Sequence, residues 1–208
     1  MVGGVIWQSG RMPQATLPGV SSPNSNLSWP PRAGEPYPDL QLTDLDGQPV
    51  RLSRYRGRVL IIEPIGMPCK ACQAFAGGHE IGGFGGVRPQ PGLKSLEQCF
   101  DDFAGGASLS DDRLIFIQVL CYGPSARRPP TLAEARQWAE HFRLSSSPNQ
   151  VVLVAPRDLL SSETKRMIPG FQLVDHDFVL RCDAGNPPRQ DLYRELLPMV
   201  PQLLRAAR

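Results

Sequence analysis

The stretch that decides the fold reads Gly57-Arg58-Val59-Leu60-Ile61-Ile62-Glu63-Pro64-Ile65-Gly66-Met67-Pro68-Cys69-Lys70-Ala71-Cys72. Val59 to Ile62 is too apolar for a strand with one wet face, so it reads as a central strand buried on both sides. Cys69 follows a few residues past its end, and Cys72 to Ala76 looks like the opening of a helix. Disulfide exchange needs a nucleophilic thiolate and a second thiol near enough to resolve the mixed disulfide. A Cys-x-x-Cys pair at a helix start offers both. Free N–H groups and the dipole there favour the Cys69 anion and lower its pKa, with Lys70 adding a positive charge. Cys72 is then the more buried, resolving thiol.

Three residues near the pair sharpen this reading. Glu63, at the end of the apolar strand and six residues before Cys69, should be partly buried with a raised pKa, fit to accept the Cys72 proton. The alternative is a strand-end glutamate that reaches water. Ile168-Pro169 precedes the strand Phe171 to Val174. A cis proline there would orient backbone groups for strand-like pairing with a substrate chain, whereas a trans proline would merely end a short helix. Pro68 disfavours helix at the residue before it and helps to fix where the helix begins.

Outward from this centre, Leu40-Gln41-Leu42 and Pro49-Val50-Arg51-Leu52 flank the turn sequence Asp44-Leu45-Asp46-Gly47, a hairpin pattern. Gly77 to Gly92 holds seven glycines and reads as a long flexible loop. Leu93 to Phe103 follows as a helix with Leu96, Cys99, Phe100 and Phe103 on one face. Leu114 to Leu120 is a second buried strand. Thr131-Leu132-Ala133-Glu134 is a capping box opening a helix whose stripe is Leu132, Ala135, Trp138, Ala139 and Phe142. Val151 to Val154 is a third strand. Phe171 to Val174 and Phe178 to Arg181 form a hairpin around Asp175-His176-Asp177. A last helix, about Asp191 to Ala207, carries Pro198 and Pro201 and should bend or break. This order predicts an α/β fold, a mixed sheet with helices on both faces.

Composition sets the bounds. The chain has 208 residues, 41% hydrophobic and 20% charged, with a net charge of +2, ordinary values for a globular domain. The arginines are scattered among acids with no basic stripe, so nucleic-acid binding has little support. No apolar run approaches the roughly 20 residues of a membrane helix. Residues 1–33, rich in Pro, Ser, Asn and Gly, read as a tail or linker before a domain spanning 34–208. Such a linker suits an exported or periplasmic protein whose signal or membrane tether lies outside this sequence, with a cytoplasmic setting as the alternative. Of five cysteines, only Cys69 and Cys72 stand at a chemically suggestive spacing. Cys99, Cys121 and Cys182 read as small buried hydrophobes, although Cys99 could serve as a third redox thiol. A single Cys-x-x-Cys also occurs as half of a zinc site, but Cys99 and His79 make no second paired motif.

From Gly34 to about Leu204 the chain resembles the thioredoxin-like redoxins, the group holding TlpA-type and ResA-type thiol reductases and the peroxiredoxins. The resemblance is carried by Gly34-Glu35-Pro36-Tyr37-Pro38-Asp39-Leu40, Asp46-Gly47-Gln48-Pro49-Val50-Arg51-Leu52, Gly57 to Ile62, the cysteine pair, and Pro169-Gly170-Phe171-Gln172-Leu173-Val174-Asp175. It implies a thioredoxin fold, a nucleophile at Cys69, a resolving thiol at Cys72, a buried acid at Glu63 and a cis proline at Pro169. It further implies protein thiol or disulfide substrates, an upstream thiol donor and no dissociable cofactor. Pro68 stands where the family usually has tryptophan, and Lys70-Ala71 lacks the proline of thioredoxin. The insertion from Gly77 to Ser110 is unusual and could cover the site or build a partner surface. Sco-type copper proteins are a second resemblance, through Leu114-Ile115-Phe116-Ile117 and Val174-Asp175-His176. That alternative implies copper held by Cys69, Cys72 and His176, although those proteins usually space their cysteines by three residues. A peroxidase reading is weakened by Gly66, where a Thr or Ser is wanted.

Overall fold

The structure, a computed structural model, describes residues 27–144, 147–185 and 190–207. β1 (Gln41–Thr43) and β2 (Pro49–Arg51) form the expected hairpin. Asp44 shapes its turn by accepting the N–H groups of Asp46 and Gln48 on one oxygen, and Gly47 takes φ 84°, a left-handed conformation that glycine adopts without steric cost. β3 (Val59–Gly66) leads into α1 (Lys70–Phe75), then α2 (Gly78–Ile81) and α3 (Leu96–Phe103). β4 (Leu114–Tyr122), α4 (Leu132–His141) and β5 (Gln150–Val154) follow. The short α5 (Ser162–Arg166) precedes the hairpin of β6 (Gln172–Val174) and β7 (Leu180–Asp183). A π-helical turn, Leu192–Leu196, runs into α6 (Leu197–Ala206).

The sheet order is β2-β1-β5-β4-β3-β6-β7, with β3, β4 and β5 parallel and the remaining pairings antiparallel. β3 and β4 lie at the centre and every residue of both is buried. Side chains alternate across β3. Val59 and Ile61 meet Phe75, Leu96, Phe100, Leu196 and Val200 of the helices, and farther along Ile65 meets Ala135 and Trp138 of α4. Leu60 and Ile62 face the opposite layer, made by Tyr37, Leu40, Leu52, Leu159 and Phe178. Helices thus lie on both sides but unevenly: α1, α3, α4 and α6 crowd one face, while turns, the chain before β1 and the short α5 cover the other.

Several boundaries differ from the sequence reading for identifiable reasons. β3 does not end at Ile62, because β4 pairs with it position by position through Ile65 and carries the strand past Pro64. The helix expected from Leu93 begins at Leu96, where the Ser95 hydroxyl accepts the Gln98 N–H. Such a cap is worth about 1 kcal/mol. The capping box at Thr131 and Glu134 is present, and Arg128 grips the same glutamate with two hydrogen bonds. The expected C-terminal break does not occur: the π turn runs directly into α6, and Leu196 and Leu197 at the junction are both right-handed helical. Pro198 lies in the first turn of α6 and Pro201 inside it. Residues 27–33 lie on the domain: Leu27 and Trp29 pack on its core, and the Trp29 indole N–H donates to Thr164 Oγ1 at 2.8 Å. Residues 1–26 of the expected tail fall outside the described residues.

Candidate active site

The C-terminal end of β3 sets the site. The Met67 N–H donates to the Tyr122 carbonyl, and the Cys69 N–H turns back to the Gly66 carbonyl, each at 2.8 Å. These bonds fix a tight corner that leaves Cys69 as the N-cap of α1. Its sulfur accepts the Cys72 N–H at 3.2 Å. Both cysteines are free thiols. Cys69 is half-buried, and Cys72 is fully buried.

The two thiols differ in acidity as sharply as in exposure. Cys69 is pulled down to about 7, first by the Cys72 thiol donating to its sulfur, then by the N–H groups of Cys72 and Ala71, against an opposing push from burial. Cys72 is raised well above the ordinary thiol, first by burial, then by its bond to Cys69 and the nearby Glu63 carboxyl. Lys70, expected to help, is exposed to solvent, where its charge is screened.

Glu63 is not at a strand end. It is the fifth residue of β3 and 0% exposed, which removes the water-reaching alternative. Burial is the main cause that raises its carboxyl well above the ordinary range; a hydrogen bond from Gln118 opposes this, and the Cys69 charge adds to it. Gln118 Nε2–H donates to Glu63 Oε2 at 3.1 Å, while Gln118 Oε1 accepts the Trp138 indole N–H at 2.9 Å. Among the described residues Glu63 Oε1 has no hydrogen-bond partner. On the other side of Cys69, the Ile168–Pro169 peptide bond is cis. A Cβ built on Gly66 would lie 3.7 Å from Ile168 Cγ2 and 3.8 Å from Cys69 Cβ, so the proline loop and Cys69 flank the same point.

No protein-family model matches the sequence, and no curated protein matches it. Solved structures do resemble the fold. A candidate protein disulfide isomerase from Bacteroides thetaiotaomicron superposes with TM-score 0.52 at 16% identity, covering 86% of this chain and 94% of its own. A candidate electron transfer protein from Aquifex aeolicus VF5 gives 0.53 at 13%, covering 85% and 99%. An uncharacterized conserved protein from Geobacillus kaustophilus gives 0.56 at 15%, covering 86% of each chain. The chain has a thioredoxin-like fold. Within that fold, β3, α1 and the Pro169 loop converge on the cysteine pair.

The insertion, expected as a long loop from its glycines, is tied to the domain at several points. Gln73 of α1 is fully buried and clamps the backbone of Phe84: Oε1 accepts the Phe84 N–H at 2.7 Å, and Nε2 donates to the Phe84 carbonyl at 3.3 Å and to the Met67 carbonyl at 2.7 Å. The Gln90 N–H donates to the Lys70 carbonyl, and His141 of α4 donates to the Gly82 carbonyl at 2.9 Å. The Phe84 ring packs edge-on against Trp138 and His141. The segment is a strap fastened to α1 and α4 beside the site. Two of its glycines permit close approach: a Cβ on Gly83 would lie 1.7 Å from the Val87 carbonyl oxygen and one on Gly78 2.5 Å from the Gln73 carbonyl oxygen, while Gly77, Gly82, Gly85, Gly86 and Gly92 take positive φ.

The copper triad is not assembled. Val174 is paired with Leu60 near the start of β3, and the His176 carbonyl accepts the Gly57 N–H. His176 therefore lies at the opposite end of the sheet from Cys69, the length of an eight-residue strand away, roughly 25 Å. Among the described residues no three His, Cys, Asp or Glu side chains are grouped to hold a metal ion. Cys99, Cys121 and Cys182 are buried, and burial raises each thiol, the latter two to about 12. Sequence reasoning missed Gln73, Gln118 and Trp138 as site residues. A polar glutamine inside the otherwise apolar run Leu114 to Leu120 was the available signal for Gln118.

Proposed function

We propose that the protein is a thiol–disulfide oxidoreductase that reduces protein disulfides. The observation that carries this reading is the asymmetry of the pair, an accessible thiol at about 7 beside a fully buried, strongly raised one. A thiol whose pKa lies near ambient pH is the best attacking group, since it combines ionisation with nucleophilicity. The Cys69 thiolate attacks one sulfur of a substrate disulfide; that bond breaks, and the released substrate sulfur takes a proton from solvent. Cys72 then gives its proton to the Glu63 carboxylate and attacks the Cys69 sulfur. The substrate's second sulfur leaves, and Cys69 and Cys72 are joined as a disulfide. Two electrons have passed to the substrate, and an upstream thiol donor restores the pair. The backbone at Pro169, flanking the nucleophile, is the edge assigned to the substrate chain. Protein disulfides persist in oxidising compartments, which fits the exported setting that the sequence favours.

Incubation with a fluorescent peptide disulfide tests this. Wild type should reduce it, Cys69→Ser should not, and Cys72→Ser should accumulate a mixed disulfide visible by mass spectrometry. Reduction that survives Cys69→Ser ends the reading.

A further inference from the structure

We propose that Gln118 and Trp138 are positioning residues that commit one oxygen of the buried acid and leave the other, Glu63 Oε1, as the atom that takes the Cys72 proton. The inference rests on the proton-acceptor role given to Glu63 above and adds the apparatus behind it.

The argument begins at Trp138, whose indole N–H can only donate. Trp138 is 0% exposed on α4, and the N–H finds its partner in Gln118 Oε1 at 2.9 Å. That bond fixes which end of the Gln118 amide points where. With its carbonyl held by the indole, the NH2 group faces Glu63 and donates to Oε2 at 3.1 Å. The reversed amide would set donor against donor at Trp138 and oxygen against oxygen at Glu63. Residues 63 and 118 are register partners on adjacent parallel strands, so the two side chains leave the same face of the sheet and cannot avoid each other.

One carboxyl oxygen is thereby occupied in either protonation state, and a proton on Glu63 belongs on Oε1. That atom is buried without a partner, a costly arrangement for a purely structural residue. The ionisable groups that face Glu63 are Cys69 and Cys72 of α1; β4 presents Gln118 and α4 presents Trp138, neither of which titrates. In the resolving step the proton moves from Cys72 Sγ to Oε1, the Cys72–Cys69 bond forms, and the Cys69–substrate bond breaks. The departing substrate sulfur takes its proton from solvent. The N–H from Gln118 favours the carboxylate against the effect of burial, keeping a usable base available at lower pH.

The test follows release of a labelled peptide thiol from the mixed disulfide in single turnover across pH. Gln118→Met keeps the volume and removes the donor. It should move the midpoint of the resolving step upward by about one pH unit, about a tenfold loss below it. Trp138→Phe keeps the ring and frees the amide to reverse, so it should shift the midpoint the same way but less. The double variant should shift no further than Gln118→Met alone, because the indole acts through the amide. Alkylation of Cys69 by iodoacetamide should keep its wild-type midpoint throughout. An unmoved resolving midpoint in Gln118→Met, with Glu63→Gln flattening the profile, overturns the positioning and spares the acid. A profile untouched by Glu63→Gln overturns the acid itself. Additive shifts in the double variant overturn the relay through Trp138. If one single variant does not fold, the other still decides, since each must raise the midpoint.

Discussion

Two buried carboxylates, Glu63 in the middle of β3 and Asp175 just past the end of β6, are treated in opposite ways. Asp175 is 1% exposed and fully engaged. One oxygen accepts the N–H groups of Asp177 and Val179, and the other accepts Arg181 Nε–H. It builds the β6–β7 turn. Glu63 is as deeply buried, yet it receives one neutral donor and no cation, and one oxygen is left bare. A carboxylate that holds structure is surrounded by donors. One left half-satisfied in a low-dielectric setting can gain and lose a proton.

This contrast can be broken most forcefully at Glu63. Glu63→Gln should slow the resolving step roughly 100-fold while changing the unfolding free energy near pH 4.5 by no more than about 1 kcal/mol, as measured by single-turnover thiol release and by urea denaturation at that pH. Asp175→Ala should do the reverse. Loss of its turn-forming bonds should destabilise the domain by roughly 2 kcal/mol, with the rate per folded molecule unchanged. Arg181 is 46% exposed, so its lost partner adds little.

Titration of stability sharpens the comparison with a smaller effect. Burial raises the Glu63 carboxyl above its unfolded value near 4.5, so its contribution is intact below that value and is lost as pH rises through the folded one. Cys69, at about 7 against 9 when unfolded, runs the other way: its contribution is present above 9 and disappears as pH falls through 7. The stability difference between wild type and Glu63→Gln should therefore decline above pH 4.5. The difference between wild type and Cys69→Ser should grow from pH 7 to 9. Urea midpoints at a series of pH values check both slopes. The smallest effect belongs to the strap: Phe84→Ala should cost about 1 kcal/mol of aromatic packing and speed amide exchange across 77–92 without altering the Cys69 alkylation midpoint.

Much of this was legible in the sequence because local chemistry and global fold agree there. The apolar runs at Val59 and Leu114, the Thr131 capping box and the Asp44 turn each point to the element that forms. The pair Cys69 and Cys72 is local, and its spacing exposes it. Gln118 was hidden because its role comes from parallel register with a residue 55 positions earlier, a relation that only the assembled sheet creates. Glycine misled in the strap, where Gly78 and Gly83 admit backbone at distances that a Cβ would forbid, so that an ordered segment carried the composition of a loose one. His176 misled in the other direction. Adjacent to a strand, it resembled a ligand, but the antiparallel run of β6 carries it away from the cysteines.

The strap is fastened through main-chain atoms: the peptide of Phe84, the carbonyl of Gly82 and the N–H of Gln90. Peptide groups are the same whatever side chain they bear. Selection is thus free to rewrite the exposed Ile81 and Arg88 without undoing the knot. Beside the two sulfurs, the exterior of the strap can change by drift in a handful of codons while its fastening stays as it is.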